Sequence, residues 1–142
     1  MRTPREAGVF VQRAGRLLVL HRVEDGYWHI VAGVVEPEET FEQAARRELS
    51  EEVGLDADVV DLQHPVTYPI TDELREQYGY PDDVTQVTVH HYSAVAPTGW
   101  EPRLNEEHDM HRWCGVDEAI SLFYWPETRD AARALGKRLA SA

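Results

Sequence analysis

The chain has 142 residues, of which 42% are hydrophobic, enough to bury a sizeable core in one domain. Its formal net charge of −12 lacks the basic footprint that sequence-independent binding of DNA or RNA requires. Cys114 is the only cysteine, so no intramolecular disulfide can form. The opening MRTPREAG has no apolar leader and no run approaches 18 apolar residues, so a soluble cytoplasmic protein with no membrane partner is expected.

In chain order, residues 8–14 and 16–22 read as two strands joined by an Ala-Gly turn. Residues 28–35 are rich in β-branched side chains and run into a loop where Pro37 bars a regular ladder. Thr40, with Gln43 three residues on, forms a capping box, and good helix formers follow as far as Val53. Gly54 stands where a left-handed stop is expected, so the pattern predicts one helix over 41–53. Residues 58–62 and 65–70 are short strand candidates. Residues 71–83, with Gly79 and Pro81, read as a loop, and loops of that length are often functional. Residues 84–95 alternate as a strand, 97–102 turn, and 108–115 form the last strand. Asp117 caps a short helix through Leu122, and Pro126 opens a final helix ending near Ala140. Periodicity alone gives a mixed α/β domain.

The chemistry is concentrated in residues 33–55, GVVEPEETFEQAARRELSEEVGL. At ~100° per residue, Glu48, Glu51 and Glu52 fall within an arc of roughly 100° that borders the apolar face of the predicted helix. Carboxylates three and four residues apart repel one another, by a few tenths of a kcal/mol per pair. Arg47 can pair with Glu51 but cannot neutralise three acids, whereas a divalent cation can. Oxygen donors without a thiolate or a paired histidine suit Mg²⁺ or Mn²⁺ better than Zn²⁺. Residues 36–56 carry eight acids against Arg46 and Arg47, a net −6 and half of the whole imbalance. An anionic substrate would be repelled from this stretch unless cations stood between them.

The same stretch resembles, position for position, the Nudix box, G-x5-E-x7-R-E-U-x-E-E-x-G-U with U aliphatic. Seven of its positions demand a single residue, so an accidental match runs on the order of one in ten million per starting point. The resemblance implies a mixed β-sheet sandwiched between α-helices, an α/β/α fold over the whole chain. It also implies a metal-dependent hydrolase that cuts a diphosphate linkage in a nucleotide-like polyphosphate. By resemblance, Glu48 and Glu52 are metal ligands, Glu51 is a further ligand with a catalytic part, and the Gly33 carbonyl adds another. Glu39, Arg47 and Gly54 are structural members of the box. Glu107-His108 resembles a Glu-His pair whose glutamate serves as ligand or general base. His108 and His111 are expected to be surface or hydrogen-bonding histidines rather than a metal pair.

Looser likenesses before and after the box, spread over residues 18–131, point to pyrophosphohydrolases of nucleoside triphosphates and dihydroneopterin triphosphate. The products expected are a monophosphate and pyrophosphate. Arg22 and Arg75 are candidate phosphate contacts, and Trp28, Tyr80 and Trp125 are candidate stacking surfaces for a base or pterin. A dinucleoside polyphosphate hydrolase is the alternative within the family. Against it, V-A-G precedes the box where many such enzymes have P-K-G, and positions 71–73 lack their customary tyrosine. A nucleotide-sensing module without catalysis is a third reading, opposed by the presence of all three box glutamates. Many relatives form dimers, which makes a homodimer the expected assembly if there is one.

Overall fold

A computed structural model describes residues 2–141. In chain order the elements are β1 (Arg5–Arg13), β2 (Arg16–Arg22), β3 (Trp28–His29), β4 (Val31–Val34), α1 (Phe41–Val53), β5 (Val60–Asp61) and β6 (Val66–Pro69). They continue with α2 (Asp72–Tyr78), β7 (Gln86–Val95), β8 (His108–Gly115), α3 (Val116–Leu122) and α4 (Pro126–Ser141). The strands make one mixed sheet. Strand β1 runs parallel to β7 along nearly its whole length, from Arg5 opposite Thr88 to Gln12 opposite Val95.

The other edge of β1 is divided. Its last residues form a hairpin with β2, Gln12 opposite Leu17, and its first half pairs antiparallel with β4, Glu6 opposite Val34. The predicted strand over 28–35 is therefore two strands. β3 pairs with β2, β4 pairs with β1, and the chain changes partner at Ile30. Strand β8 lies along the free edge of β2 with a bulge at His21/Arg22. The hairpin turn places Ala14 and Gly15 at φ 52° and 77°, the two positive values that a type I′ turn needs.

Alternation along β1 and β2 explains why both read as continuous apolar runs. Val9, Val11, Leu18 and Leu20 point into one core with Ala44, Ala45, Leu49 and Val53 of α1. Phe10, Leu17 and Val19 point into a second core with Ala119 and Phe123 at α3 and Ala131, Ala132 and Leu135 of α4. A sheet covered on both faces has no polar side to alternate with. The α/β/α sandwich follows, as expected.

Two expectations need correction. The segment 71–83 contains a helix, α2, capped by the Thr71 hydroxyl accepting from the Leu74 amide and stopped by Gly79 at φ 71°. No residue of α2 is buried, so it carries no apolar periodicity, and the cap residues were its only signal. Helix α3 starts two residues earlier than predicted, with Gly115 at the cap position and no side-chain cap bond; Asp117 sits in its first turn instead, where it complements the helix dipole. Among the described residues, no helix is long and apolar enough to cross a membrane.

Candidate active site

Helix α1 is built as its sequence dictates. The Thr40 hydroxyl accepts from the Gln43 amide, the Gln43 side chain accepts from the Thr40 amide, and Gly54 ends the helix at φ 73°, ψ 28°. This fixes the rotation of the acidic face. Glu52 is turned fully inward at 2% exposure, the Glu48 side chain is 13% exposed, and the Glu51 side chain is 58% exposed.

Glu48 lies directly on Gly33 of β4. A Cβ at Gly33 would stand 2.2 Å from the Glu48 Cδ and Oε1 atoms, so only glycine lets the helix carboxyl lie against this strand. Arg47 locks the arrangement. Its Nε and Nη2 donate to the two Glu39 oxygens at 2.7 and 2.9 Å, Nη2 also to the Val34 carbonyl at 3.0 Å, and Nη1 to Glu48 at 2.7 Å and Glu51 at 3.3 Å. The guanidinium beside Glu39 holds that carboxyl below its usual range. The box loop is further tied by Glu39 Oε1 accepting from the Glu36 amide and by Arg5 donating to the carbonyls of Glu36 and Glu39. The sequence offered no sign of this role for Arg5, which lies over thirty residues away.

Glu107 reaches the same place from the opposite end of the chain. Its amide donates to the Asn105 side chain, its carbonyl accepts from Val23, and Asn105 Nδ2 donates to the Glu51 carbonyl. One ligand atom each from Glu52, Glu107 and His108 lie within 4.8 Å of one another. Glu52 Oε2 is buried with no hydrogen-bond partner, and so is His108 Nδ1. Burial, then the neighbouring Glu48 and Glu107, push the Glu52 carboxyl from 4.5 up to about 10. Burial, then Arg22, holds His108 down at about 4. The donors fit a divalent cation: an orphaned buried carboxylate oxygen, further acids beside it, and a close-approach glycine. His108 is therefore no surface histidine, being 5% exposed. His111 does meet its expectation, contacting Glu101 at 3.3 Å.

Beside Glu107 opens a cleft of about 220 Å³ lined by Arg22, Val23, Glu24, Glu106 and Glu107. A larger hollow of about 370 Å³ lies along Glu36–Glu39, but Glu39 there is already paired with Arg47. Arg22 is the one cation in the lining of the smaller cleft; its Nε contacts both Asp25 oxygens at 3.0 Å. The other substrate candidates have different work. Arg75 donates to the carbonyls of Tyr80, Pro81 and Val84 and holds the turn after α2. Tyr80 is 4% exposed, packed with Ile70 and Val87, so it has no free ring face. Trp28 packs against the second core. Trp125 is 44% exposed, however, and Tyr124 49%. Trp125 stands edge-on to Tyr27 and Tyr124, which stack on each other at 3.7 Å. Tyr27 belongs to the loop that leaves Arg22 and lines the cleft. Neither tyrosine had a sequence signal, since they meet only through the fold.

A profile of the NUDIX domain matches residues 2–135. The chain belongs to the Nudix family. A dihydroneopterin triphosphate diphosphatase of Escherichia coli (strain K12) is 32% identical over 120 residues, 80% of this chain and 78% of that protein. An octanoyltransferase of Myxococcus xanthus is 30% identical over 118 residues, 82% of this chain but 31% of the relative; the Nudix chain thus spans about a third of that longer protein. The solved structure of the E. coli dihydroneopterin triphosphate pyrophosphohydrolase superposes with a TM-score of 0.82 at 29% identity, over 96% of this chain and 97% of the other.

Two outcomes follow for this Nudix site. Gly33→Ala displaces the flexible end of Glu48 rather than the backbone, so the fold survives with a loss of about 1 kcal/mol in denaturant melts. Turnover, by contrast, falls about a hundredfold or more, as misplacement by an ångström does elsewhere. The second outcome concerns Glu52. Its folded-state pKa lies above the 4.5 of the free group, so the contribution of Glu52 to the stability of the metal-free fold is fully present below pH 4.5 and is lost as pH rises toward about 10. In EDTA at pH 8, Glu52→Gln should therefore melt higher than wild type, by more than about 1 kcal/mol. A lower melting point for the glutamine variant would refute the buried-carboxylate account.

Proposed function

We propose that this chain is a divalent-cation-dependent pyrophosphohydrolase that converts a nucleoside or dihydroneopterin triphosphate to its monophosphate and pyrophosphate, with Mg²⁺ or Mn²⁺ as cofactor. The observation that carries the proposal is the buried Glu52 carboxylate, one oxygen of which has no partner, set beside a second acid on an independent segment. The similarity, in sequence and in structure, to the E. coli enzyme named for dihydroneopterin triphosphate supports the substrate class.

Glu48 and Glu52, with the Gly33 carbonyl, would hold the cation, and the more exposed Glu51 would be a further ligand. A bound divalent ion supplies neutralisation of phosphate oxygens and a more acidic water at neutral pH. Glu107, held by its backbone but with an exposed side chain, would serve as a further ligand of that cation or as the general base toward the attacking water. Arg47 and Glu39 act on the loop and helix and do not reach substrate. Arg22 exchanges Asp25 for a phosphate oxygen, which a guanidinium forks onto as readily. The half-exposed Trp125 ring receives the base or pterin, in place of Trp28 and Tyr80, which are committed to packing.

The test is a panel of nucleoside triphosphates, dihydroneopterin triphosphate and dinucleoside polyphosphates with chromatographic identification of products. Pyrophosphate release from mononucleoside or pterin triphosphates in Mg²⁺, none in EDTA, and loss of at least about a thousandfold in kcat for Glu52→Gln are expected. Preferred release of a nucleoside triphosphate from a dinucleoside tetraphosphate would replace this substrate class, and tight binding without turnover would replace the enzyme by a sensor. Trp125→Ala should raise KM about tenfold while kcat stays within about twofold, the pattern of lost uniform binding.

A further inference from the structure

We propose that His108 is a nitrogen ligand of the cation held at Glu52 and Glu107, giving a mixed nitrogen–oxygen shell that selects Mn²⁺ over Mg²⁺. The inference rests on the metal-dependent reading of this site and concerns a residue that the acidic motif does not include. His108 offers a ring nitrogen within 4.8 Å of a carboxylate oxygen from both Glu52 and Glu107. Around a six-coordinate ion with bonds of ~2.1 Å, neighbouring ligand atoms are ~3 Å apart and opposite ones ~4.2 Å. The three donors, within 4.8 Å of one another, are thus near the spacing that one ion would need.

Burial makes the case independent of the acids. His108 is 5% exposed and Glu52 2%, yet His108 Nδ1 and Glu52 Oε2 both lack a hydrogen-bond partner. Leaving a buried polar atom unpaired is costly, and a cation among the Glu52, Glu107 and His108 side chains, whose ligand atoms lie within 4.8 Å of one another, would relieve that cost. Of the other histidines around this edge of the sheet, His21 contacts Asp109 at 2.7 Å and His111 contacts Glu101 at 3.3 Å; His29 Nδ1 is also buried without a partner, but His29 lies outside the Glu52–Glu107–His108 cluster. No hydrogen bond joins the His108 ring to either carboxylate among the described residues, so it does not serve as their donor. Its backbone is held at the first rung of β8 opposite Arg22, and Val23 donates to the adjoining Glu107 carbonyl at 3.0 Å, so the ring is presented by a rigid strand end.

The selectivity follows from ligand softness. Mg²⁺ is bound through oxygen donors in near-ideal octahedral geometry, whereas divalent first-row transition ions, Mn²⁺ the weakest binder among them, also take nitrogen donors, so one imidazole in the shell disfavours Mn²⁺ less than Mg²⁺. An all-oxygen shell, as the box glutamates alone would supply, gives no such preference.

The experiment uses Mn²⁺ and the whole chain. Binding is titrated by the EPR signal of free Mn²⁺, and the bound ion is examined by pulsed EPR in natural-abundance protein and in protein labelled with ¹⁵N only at histidine. A nitrogen coupling that changes on histidine labelling is expected. It should vanish in His108→Gln or His108→Asn and persist in His29→Gln and His111→Gln. Mn²⁺ affinity should fall at least about tenfold in the His108 variants, with Mg²⁺ affinity, measured by competition, changing less than about threefold. Tight Mn²⁺ binding without a labelling-sensitive coupling overturns the His108 assignment and leaves the metal-dependent function standing. Absence of Mn²⁺ binding overturns both. The labelled wild type decides the presence of a histidine ligand without any substitution, and loss of the coupling in His29→Gln would move the assignment to that residue.

Discussion

The site depends on one steric constraint: α1 must lie against β4 where β4 has no side chain. The Glu48 carboxyl occupies the space that a Cβ at Gly33 would fill, and Arg47 fixes the helix there by reaching the Val34 carbonyl, Glu39 and Glu48 together. Strand, loop and helix are thereby joined through a single guanidinium whose side chain is 25% exposed. A lysine has three donors on a point charge and cannot span both Glu39 oxygens while also reaching a carbonyl and a second acid. The geometry of the planar fork, more than its charge, makes the assembly rigid.

Burial of Glu52 is a consequence of that rigidity. It lies one turn beyond Glu48, so a helix seated on Gly33 carries Glu52 into the interior whether or not the interior favours a carboxylate. Burial and the two acids nearby all act in the same direction on its proton affinity. The fold therefore holds a group that is unfavourable when ionised and unpaired, and that would become favourable beside the proposed cation. Stability is withheld at the point where binding supplies it. On the proposed function, the same cation would remove the repulsion between a polyphosphate and a chain carrying −12, so that one event would correct two electrostatic mismatches.

Legibility in the sequence followed the range of the interactions. Helix α1 was readable to the residue because its cap, its stop and its acidic arc are all local, and β8 likewise because its pattern ends at Gly115. The split of 28–35 into β3 and β4 was not readable, since which neighbour each half pairs with is decided by β1 and β2 from elsewhere in the chain. Helix α2 was missed because it buries nothing, leaving Thr71 and Gly79 without a periodic segment between them. In the site, Glu48, Glu51 and Glu52 were visible as a spacing, and Glu107 through its likeness to a Glu-His pair. Burial of His108 was invisible, because histidine carries no preference that distinguishes an orphaned ring from a solvated one. Tyr80 and Arg75 were misjudged for a related reason: an aromatic or a guanidinium reads the same whether it faces ligand or its own loop.

The arrival of Glu107 shows how the fold assembles a site from distant segments without a dedicated device. The last four carbonyls of any helix have no intrahelical partner and must find one. At the end of α1, the Gly54 amide takes the Ser50 carbonyl, the Arg103 amide takes Val53, and the Asn105 side chain takes Glu51. The segment leading into β8 is thus drawn across the helix end by the ordinary need to cap it. Asn105, while donating to that end, accepts the amide of Glu107 and so sets the acid beside Glu52. Capping α1 and completing the carboxylate cluster are one set of hydrogen bonds. For this reason the acidic box and an acid more than fifty residues later keep their registration through the sheet, although nothing in the covalent chain between them holds it.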